Sequence, residues 1–247
     1  MNFSMTSVSK TPGRKLALFI GFLLLASSLY AQPQKEMKSK LRYSSEISYL
    51  SWFPENYKKE KKQKFPLLIF LHGSGERGSD LSKVKVWGPP SFVEQRPDFP
   101  FVVVSPQCPE GEWWNVEVLD ALLTKLLKKY RIDPDRVYLT GLSMGGFGTW
   151  NWACSHPDRF AAIAPVCGGG EPLLADNLVN VPVWAFHGAE DPVVPVSATT
   201  SMTTALQNAG GEVKSTIYPG VGHDSWRQAY ADDNLYEWLL SHTRKKP

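Results

Sequence analysis

The sequence feature that most restricts the fold is the pentapeptide GLSMG at residues 141–145. It follows a short apolar run at 137–140 and precedes a stretch that is compatible with a helix. A serine between glycines at a strand–turn–helix junction is typical of a nucleophile elbow, in which a sharp turn exposes the serine while the backbone crowds its neighbours. Gly141, Gly145 and Gly146 supply the small residues that such a turn needs. We therefore predict that Ser143 is a catalytic nucleophile.

Apolar runs rich in β-branched and aromatic residues alternate with longer segments of helical periodicity. This alternation predicts an α/β fold with a mostly parallel, doubly wound sheet that is covered by helices on both faces. We expect strands at 47–53, 67–71, 101–105, 137–140, 161–166, 183–186 and 213–218. Helices are expected at 116–130, 197–209 and 226–240. The Asp133-Pro134 pair is expected to close the connection after the first of these helices.

The first 31 residues have the pattern of a secretory signal peptide. Lys10, Arg14 and Lys15 precede an apolar run at 16–26, and small residues follow up to Ala31. The apolar run is too short to span a membrane, and no cysteine follows the cut to carry a lipid anchor. We expect cleavage after Ala31, with cleavage after Ser28 as the alternative, and an exported, periplasmic or extracellular protein. Residues 32–247 then form one domain, because no linker or repeat divides them.

The charge of the chain depends on this segment. The 247 residues carry 27 Lys and Arg against 24 Asp and Glu, and the three charges of residues 1–31 are all basic. The rest of the chain is therefore formally neutral and gives no indication of a nucleic-acid partner. The lysine-rich run at 58–64 is interpreted as a solvated hairpin loop, with a polyanion-binding patch as the alternative.

Three cysteines remain after cleavage, so at least one of them has no partner within the monomer. Cys108, Cys154 and Cys167 lack the spacing of metal ligands, and we expect neither a metal nor another cofactor. Buried structural thiols are the default interpretation. One disulfide is also compatible with export, but the sequence does not choose the pair.

Two further strand ends carry the residues that a serine nucleophile needs. Asp191 follows the sixth predicted strand, and His223 follows the seventh. The order serine, acid, histidine is that of α/β-hydrolase enzymes. We predict that His223 accepts the proton of Ser143 and that Asp191 orients His223, with the adjacent Glu190 as a less favoured acid. His187, at the end of the sixth strand, is expected to pack or to hydrogen-bond locally.

A glycine-rich loop follows the second predicted strand. Its sequence is HGSGERG at residues 72–78. A tetrahedral intermediate needs backbone donors directed at its oxyanion, and such a loop allows close backbone approach. We assign the backbone N–H groups of Ser74 and Met144 to this oxyanion hole, with a flexible turn as the alternative interpretation of the loop.

These stretches resemble a known family, the single-domain serine esterases of the α/β-hydrolase fold that include feruloyl esterases, polyhydroxybutyrate depolymerases and small carboxylesterases, often labelled predicted peptidases. The resemblance is carried by LHGSGERG at 71–78, SPQCP at 105–109 with Trp113-Trp114, GLSMGG at 141–146 and YPGVGHDSW at 218–226. It spans nearly the whole chain after the signal segment and implies a Ser–Asp–His triad. Dienelactone hydrolases, a close relative, would carry cysteine at the nucleophile, so Ser143 argues against them.

The resemblance also bears on the size of the substrate site. Cap domains of this fold usually follow the sixth strand of the family sheet, where only residues 167–181 intervene here. We therefore expect no cap domain and an open active site. Trp113, Trp114 and Trp226 are predicted as substrate-binding residues, with core packing as the alternative, and one of the adjacent pair is expected to point inward.

The leading hypothesis is an exported serine carboxylester hydrolase that acts through an acyl-enzyme. Feruloyl or acetyl esters of plant polysaccharides are the favoured substrates, and no stable membrane anchor is expected after cleavage of the signal segment. A serine peptidase with the same triad is one alternative, because an amide needs the same nucleophile and oxyanion hole. A non-catalytic binding protein that retains the hydrolase fold is the other.

Overall fold

The computed structural model describes residues 46–244, which build a seven-stranded sheet flanked by helices. The strands are β1 (Tyr49–Trp52), β2 (Phe65–Leu71), β3 (Val102–Pro106), β4 (Ile132–Leu142), β5 (Ala162–Val166), β6 (Val183–Gly188) and β7 (Val213–Tyr218). Their order across the sheet is β1-β3-β2-β4-β5-β6-β7. Only β1 runs antiparallel to its neighbour, β3, and the other pairs are parallel. All seven predicted strands are confirmed.

The helices cover both faces of this sheet. They are α1 (Asn56–Lys59), α2 (Val116–Lys129), α3 (Met144–Ser155), α4 (Ser197–Asn208), α5 (Trp226–Ala231) and α6 (Asp233–Leu240). Alternate residues of β2 divide between two hydrophobic clusters, since Leu67 and Ile69 pack with residues of α2, α3 and α4, whereas Leu68 and Phe70 pack with residues of α5 and α6. A strand that is buried on both faces requires a continuous apolar sequence, which explains why all seven residues of β2 are apolar and buried.

Three local predictions are wrong. The helix predicted at 226–240 is broken at Asp232, whose extended backbone and side-chain bond to the Asn234 N–H begin a second helix. The Asp133-Pro134 pair lies within β4 rather than in the connection before it. The run at 58–64 does not join a hairpin, because β1 pairs with β3 and not with β2.

The three cysteines are free and buried, so the structure contains no disulfide among them. Burial raises the pKa of Cys108 and of Cys154 to about 11, and that of Cys167 to about 12. The thiols are therefore protonated at neutral pH, and the interpretation as buried structural thiols is confirmed.

Two predictions concern segments near the sheet. Between β5 and β6 the structure has only the 3₁₀ segment Pro172–Leu178 as a defined element, so no cap domain is present in the described part of the chain. No helix within residues 46–244 is long and apolar enough to cross a membrane. The signal segment predicted at 1–31 lies outside the described residues.

Candidate active site

Ser143 occupies a strained turn between β4 and α3. Its φ of 51° is one of two positive values among the described non-glycine residues, and the other belongs to Cys167 at 41°. Such a conformation costs of order 1–3 kcal/mol and persists only where the surroundings fix it. The Ser143 N–H points at the Val166 carbonyl, 3.0 Å away, and at Cys167 Sγ, 3.3 Å away. The end of β5 therefore holds the turn that exposes the serine.

Close backbone contact explains the glycines around Ser143. A Cβ added to Gly145 would lie 2.0 Å from the Leu71 carbonyl oxygen, and one added to Gly141 would lie 2.4 Å from the Gly145 carbonyl oxygen. At Gly146 the added carbon would lie 2.4 Å from the Val166 carbonyl oxygen. All three contacts are with backbone atoms, which cannot move aside as a flexible side chain could. The turn therefore fits between β2 and β5 only with glycine at these positions.

The structure brings Ser143, His223 and Asp191 into one hydrogen-bonded chain. Ser143 Oγ is 2.9 Å from His223 Nε2, and His223 Nδ1 is 2.7 Å from Asp191 Oδ2. Ser143 follows β4, Asp191 follows β6 and His223 follows β7, so the chain lies at the carboxyl ends of parallel strands. Glu190, the alternative acid, is exposed, and within residues 46–244 the carboxylate bonded to His223 is that of Asp191.

The Asp191 carboxylate is buried but fully supplied with donors. Its Oδ1 accepts hydrogen bonds from the backbone N–H groups of Val193 and Val194 at 2.8 and 2.9 Å, while its Oδ2 faces His223. Burial alone would raise the pKa of Asp191, but these hydrogen bonds outweigh it and lower the pKa below its ordinary value. The carboxylate therefore remains charged beside His223 at neutral pH.

The glycine-rich loop after β2 is anchored to its surroundings. Ser74 begins a 3₁₀ turn, Ser74–Glu76, and Arg77 donates from Nε to the Ser74 carbonyl and from Nη1 to the Glu112 carbonyl. Met144, the other predicted oxyanion donor, is the first residue of α3 and directly follows Ser143. A Cβ added to Gly73 would lie 2.8 Å from the Leu142 side chain, so the loop lies against the nucleophile turn. These contacts do not support the alternative of a flexible turn.

His72, the first residue of this loop, connects it by hydrogen bonds to the segment after β3. It is buried, its Nδ1 is 2.6 Å from the Gly73 carbonyl, and its Nε2 is 3.0 Å from the Cys108 N–H. The first partner is an acceptor and the second is a donor, which together require the neutral tautomer with hydrogen on Nδ1. Burial lowers the pKa of His72 to about 4.

This buried histidine predicts a pH dependence of stability. An unfolded histidine titrates near pH 6.5, whereas folded His72 titrates near 4, so the unfolded chain binds the extra proton between these values. The contribution of neutral His72 is present above about pH 6.5 and is lost progressively as the pH falls toward 4, by a total of about 3 kcal/mol. Urea unfolding at several pH values between 7 and 4 measures this loss.

The matched variant is His72→Asn, which keeps a donor for the Gly73 carbonyl but cannot titrate. It should be less stable than the wild type at pH 7, and its free energy of unfolding should fall less steeply below pH 6.5. Parallel pH dependences in the two proteins would contradict the assignment.

Two of the predicted aromatic residues belong to different environments. Trp113 is 65% exposed, with its ring centroid 6.4 Å from that of Phe147 on α3. Trp114 is buried, and its indole N–H donates to the His72 carbonyl. As expected, one residue of the pair, Trp114, points inward. Burial leaves Trp114 little surface for a substrate, so we assign it to the support of the loop instead.

Trp226 lies beside the catalytic candidates. Its ring meets the His223 imidazole edge to face at 5.3 Å, and it packs against Trp87 at 5.9 Å. Trp226 and Trp87 therefore form an aromatic pair, of which Trp226 contacts His223.

Two contacts of this site were not predicted from the sequence. The Ser143 N–H donates to Cys167 Sγ, and His187 Nε2 lies 3.2 Å from Asp191 Oδ2. His187 is near the end of β6 and Asp191 follows the same strand four residues later, and this spacing could have indicated the second contact. Among residues 46–244 no group of three or more His, Cys, Asp and Glu could hold a metal ion.

Comparison with known proteins places this site in a family. The sequence pattern of the dienelactone hydrolase family matches residues 110–234, just over half of the chain, and includes Ser143, Asp191 and His223. The chain belongs to the dienelactone hydrolase family. The interpretation that Ser143 argues against this family is therefore wrong. Serine and cysteine differ only in the oxygen or sulfur atom on Cβ, and both serve as nucleophiles beside a histidine base.

Three related proteins agree with the predicted α/β-hydrolase fold and the resemblance to esterases. A bifunctional acetylxylan esterase/xylanase of Neocallimastix patriciarum is 31% identical over 52% of this chain and 20% of its own length. Probable feruloyl esterase C of Aspergillus terreus is 25% identical over 70% of this chain and 66% of its own. A thermostable esterase of known crystal structure is 33% identical, with a TM-score of 0.75 over 80% of this chain and 60% of its own.

The extent of these matches differs among the relatives. The chain spans only about a fifth of the length of the acetylxylan esterase/xylanase and 60% of the thermostable esterase. The predicted α/β-hydrolase fold is confirmed by the sheet and by the similarity to the thermostable esterase, and residues 46–244 contain no cap domain.

Proposed function

We propose that the protein is an exported serine carboxylester hydrolase that acts through an acyl-enzyme. The observation that carries the proposal is the hydrogen-bonded chain from Ser143 Oγ through His223 to the buried Asp191 carboxylate. A serine nucleophile needs a base that accepts its proton and a third group that orients that base. The three side chains are arranged in this order. Export rests on the pattern of the first 31 residues.

In the proposed mechanism, His223 Nε2 takes the proton of Ser143 as the serine oxygen attacks the ester carbonyl carbon. Asp191 holds hydrogen on His223 Nδ1 and stabilises the imidazolium that forms. The tetrahedral oxyanion accepts hydrogen bonds from the backbone N–H groups of Ser74 and Met144. Collapse of the intermediate breaks the bond to the alcohol, which leaves with the proton from His223. Water then attacks the carbonyl carbon of the acyl-enzyme with His223 again as base. Collapse of this second intermediate breaks the bond to Ser143 Oγ, which takes the proton back from His223, and releases the carboxylic acid.

Esters of aromatic or acetic acids on plant polysaccharides are the proposed substrates. The related proteins named feruloyl esterase and acetylxylan esterase support this class, as does the absence of a cap over the described site. Trp113 offers an exposed aromatic surface beside α3, and Trp226 offers an aromatic surface beside His223. Planar rings of this kind suit an aromatic acyl group or a sugar face.

Hydrolysis of methyl ferulate, p-nitrophenyl acetate and a peptide p-nitroanilide by residues 32–247 tests the proposal, with Ser143→Ala measured in parallel. We expect turnover of both esters, loss of that turnover in the variant, and negligible release of p-nitroaniline. Activity on the acetate alone would restrict the substrates to short acyl groups. Efficient anilide cleavage with negligible ester cleavage would overturn the proposal in favour of a peptidase. A folded protein that hydrolyses none of them and resists a fluorophosphonate would indicate a binding role.

A further inference from the structure

His187 is a second buried histidine at the Asp191 carboxylate, and the proposed mechanism does not use it. Its side chain is fully buried at the end of β6, and its Nε2 is 3.2 Å from Asp191 Oδ2, the same oxygen that faces His223. Asp191 therefore lies between two imidazole rings. A polar ring that is removed from water in this way must satisfy its nitrogens within the protein.

The partners of His187 determine where its hydrogen lies. Nε2 is 2.9 Å from the Val194 carbonyl oxygen as well as 3.2 Å from Asp191 Oδ2. Both are acceptors, so Nε2 carries a hydrogen and donates. Val194 in turn donates its own N–H to Asp191 Oδ1 at 2.9 Å. His187 thus holds the turn that carries the donors of Asp191, in addition to its direct contact with the carboxylate.

The other nitrogen of His187 connects this turn to the nucleophile. Nδ1 is 2.7 Å from Thr199 Oγ1 on α4, and the same oxygen is 2.7 Å from the Gly168 carbonyl oxygen. The Thr199 hydroxyl has one hydrogen, so it either donates to Nδ1 or, when it donates to Gly168, accepts a hydrogen from Nδ1. Gly168 packs on Gly146 of the nucleophile turn, since a Cβ added to Gly168 would lie 2.5 Å from the Gly146 carbonyl carbon. Thr199 is also buried. The polar path from Asp191 to the turn therefore lies entirely within the protein.

We propose that His187 is a positioning residue that fixes the Asp191 carboxylate against His223 and links it, through Thr199 and Gly168, to the turn that holds Ser143. This inference rests on the proposed function. The His187 side chain is fully buried and contacts Thr199, Val194 and Asp191 rather than Ser143, so it acts through Asp191. Its loss should therefore impair the chemical step more than substrate binding.

The other titratable groups near Asp191 and His223 do not replace this contact. Cys167 faces Asp191 from the end of β5, but burial raises the pKa of its thiol to about 12 and keeps it neutral. Asp224 adjoins His223 and is exposed, with its carboxylate bonded to Arg227. Asp191 is thus the charged group that stabilises a protonated His223, and its position sets how readily His223 accepts a proton.

Three variants separate positioning from simple packing. His187→Leu introduces an apolar side chain of similar size that has no donor, and His187→Gln retains a donor near the position of Nε2. Thr199→Val removes the hydroxyl partner of Nδ1 while preserving the shape of the side chain. Each is compared with the wild type for kcat, KM and pH dependence on p-nitrophenyl acetate, with the folded fraction measured by circular dichroism.

For His187→Leu we expect kcat to fall about 10- to 100-fold with KM changed less than about threefold, because a small displacement of a catalytic group has effects of this size. The acid limb of kcat/KM should move to lower pH, because a loosened Asp191 stabilises the His223 imidazolium less. His187→Gln should recover most of kcat, and Thr199→Val should lower kcat about three- to tenfold.

The outcomes distinguish this inference from the proposed function. If the wild type shows no Ser143-dependent ester hydrolysis, the proposed function fails and this inference with it. If the wild type is active and folded His187→Leu keeps its kcat and its pH profile, only the inference fails. A shift of the acid limb to higher pH would also overturn it, because His187 would then be withdrawing charge from Asp191 rather than positioning it. Should His187→Leu fail to fold, Thr199→Val decides the question, because a folded Thr199→Val with the kcat and the pH profile of the wild type would overturn the inference.

Discussion

Replacement of Ser143 by alanine is expected to lower kcat on an ester substrate by roughly 10⁵-fold or more, which is the scale at which loss of a serine nucleophile acts. The variant lacks the oxygen that lies 2.9 Å from His223 Nε2, so no acyl-enzyme can form. Alanine tolerates the positive φ of this position about as well as serine does, and the fold should remain intact. Steady-state hydrolysis of p-nitrophenyl acetate measures the loss, and thermal unfolding measures the stability.

A serine at the other end of the same helix provides the control. Ser155 is exposed and its hydroxyl donates to the Asn151 carbonyl on α3, away from the triad, so Ser155→Ala should retain wild-type kcat. A fluorophosphonate should label the wild type and Ser155→Ala but not Ser143→Ala. Retention of even a few per cent of kcat by purified Ser143→Ala would show that another group is the nucleophile.

The second large effect is expected on stability, from Gly145→Ala. The added methyl group would lie 2.0 Å from the carbonyl oxygen and 2.5 Å from the carbonyl carbon of Leu71, and 2.7 Å from the His72 carbonyl oxygen. Relief of this overlap requires α3 to move away from the end of β2, which lies in the centre of the sheet. We expect a loss of at least about 3 kcal/mol in the free energy of unfolding, at the upper end of overpacking effects. Urea denaturation followed by fluorescence measures it.

Gly75→Ala is the matched control for this prediction. It makes the same chemical change in the adjacent loop, where an added Cβ meets no atom within 4 Å and the φ is not positive. Its stability should lie within about 0.5 kcal/mol of the wild type or slightly above it, since alanine restricts the unfolded chain. Equal losses in the two variants would mean that the crowding at Gly145 is not what limits the substitution.

The sequence predicts the sheet well because parallel strands are buried on both faces. All seven residues of β2 are therefore apolar, as are the first three residues of β3. The same logic places Ser143, Asp191 and His223, because active-site residues of such sheets follow the carboxyl ends of strands. Their proximity was predictable from strand order without knowledge of any side-chain contact.

The remaining errors concern choices that depend on partners distant in sequence. Asp133-Pro134 lies between the pairs Ile132–Phe65 and Val137–Leu67, where the register of β4 on β2 shifts, and the sequence around the pair does not contain that information. Trp113 and Trp114 have the same side chain, and the structure distinguishes them because the Trp114 indole donates to the His72 carbonyl and is buried, whereas Trp113 is exposed. The role of His187 likewise depends on acceptors that the fold brings to it from the turn at Val194 and from α4.

The three buried thiols make the protein its own reporter of local opening. Each thiol is protonated and shielded in the folded state, so a thiol reagent can modify it only after a transient opening exposes it. Cys108 follows β3, Cys154 lies on α3 and Cys167 adjoins the Ser143 turn, so the three labelling rates sample three separate regions. Comparison of the Cys167 rate with that of Cys154 would show whether the strained turn opens alone or only when the whole domain unfolds.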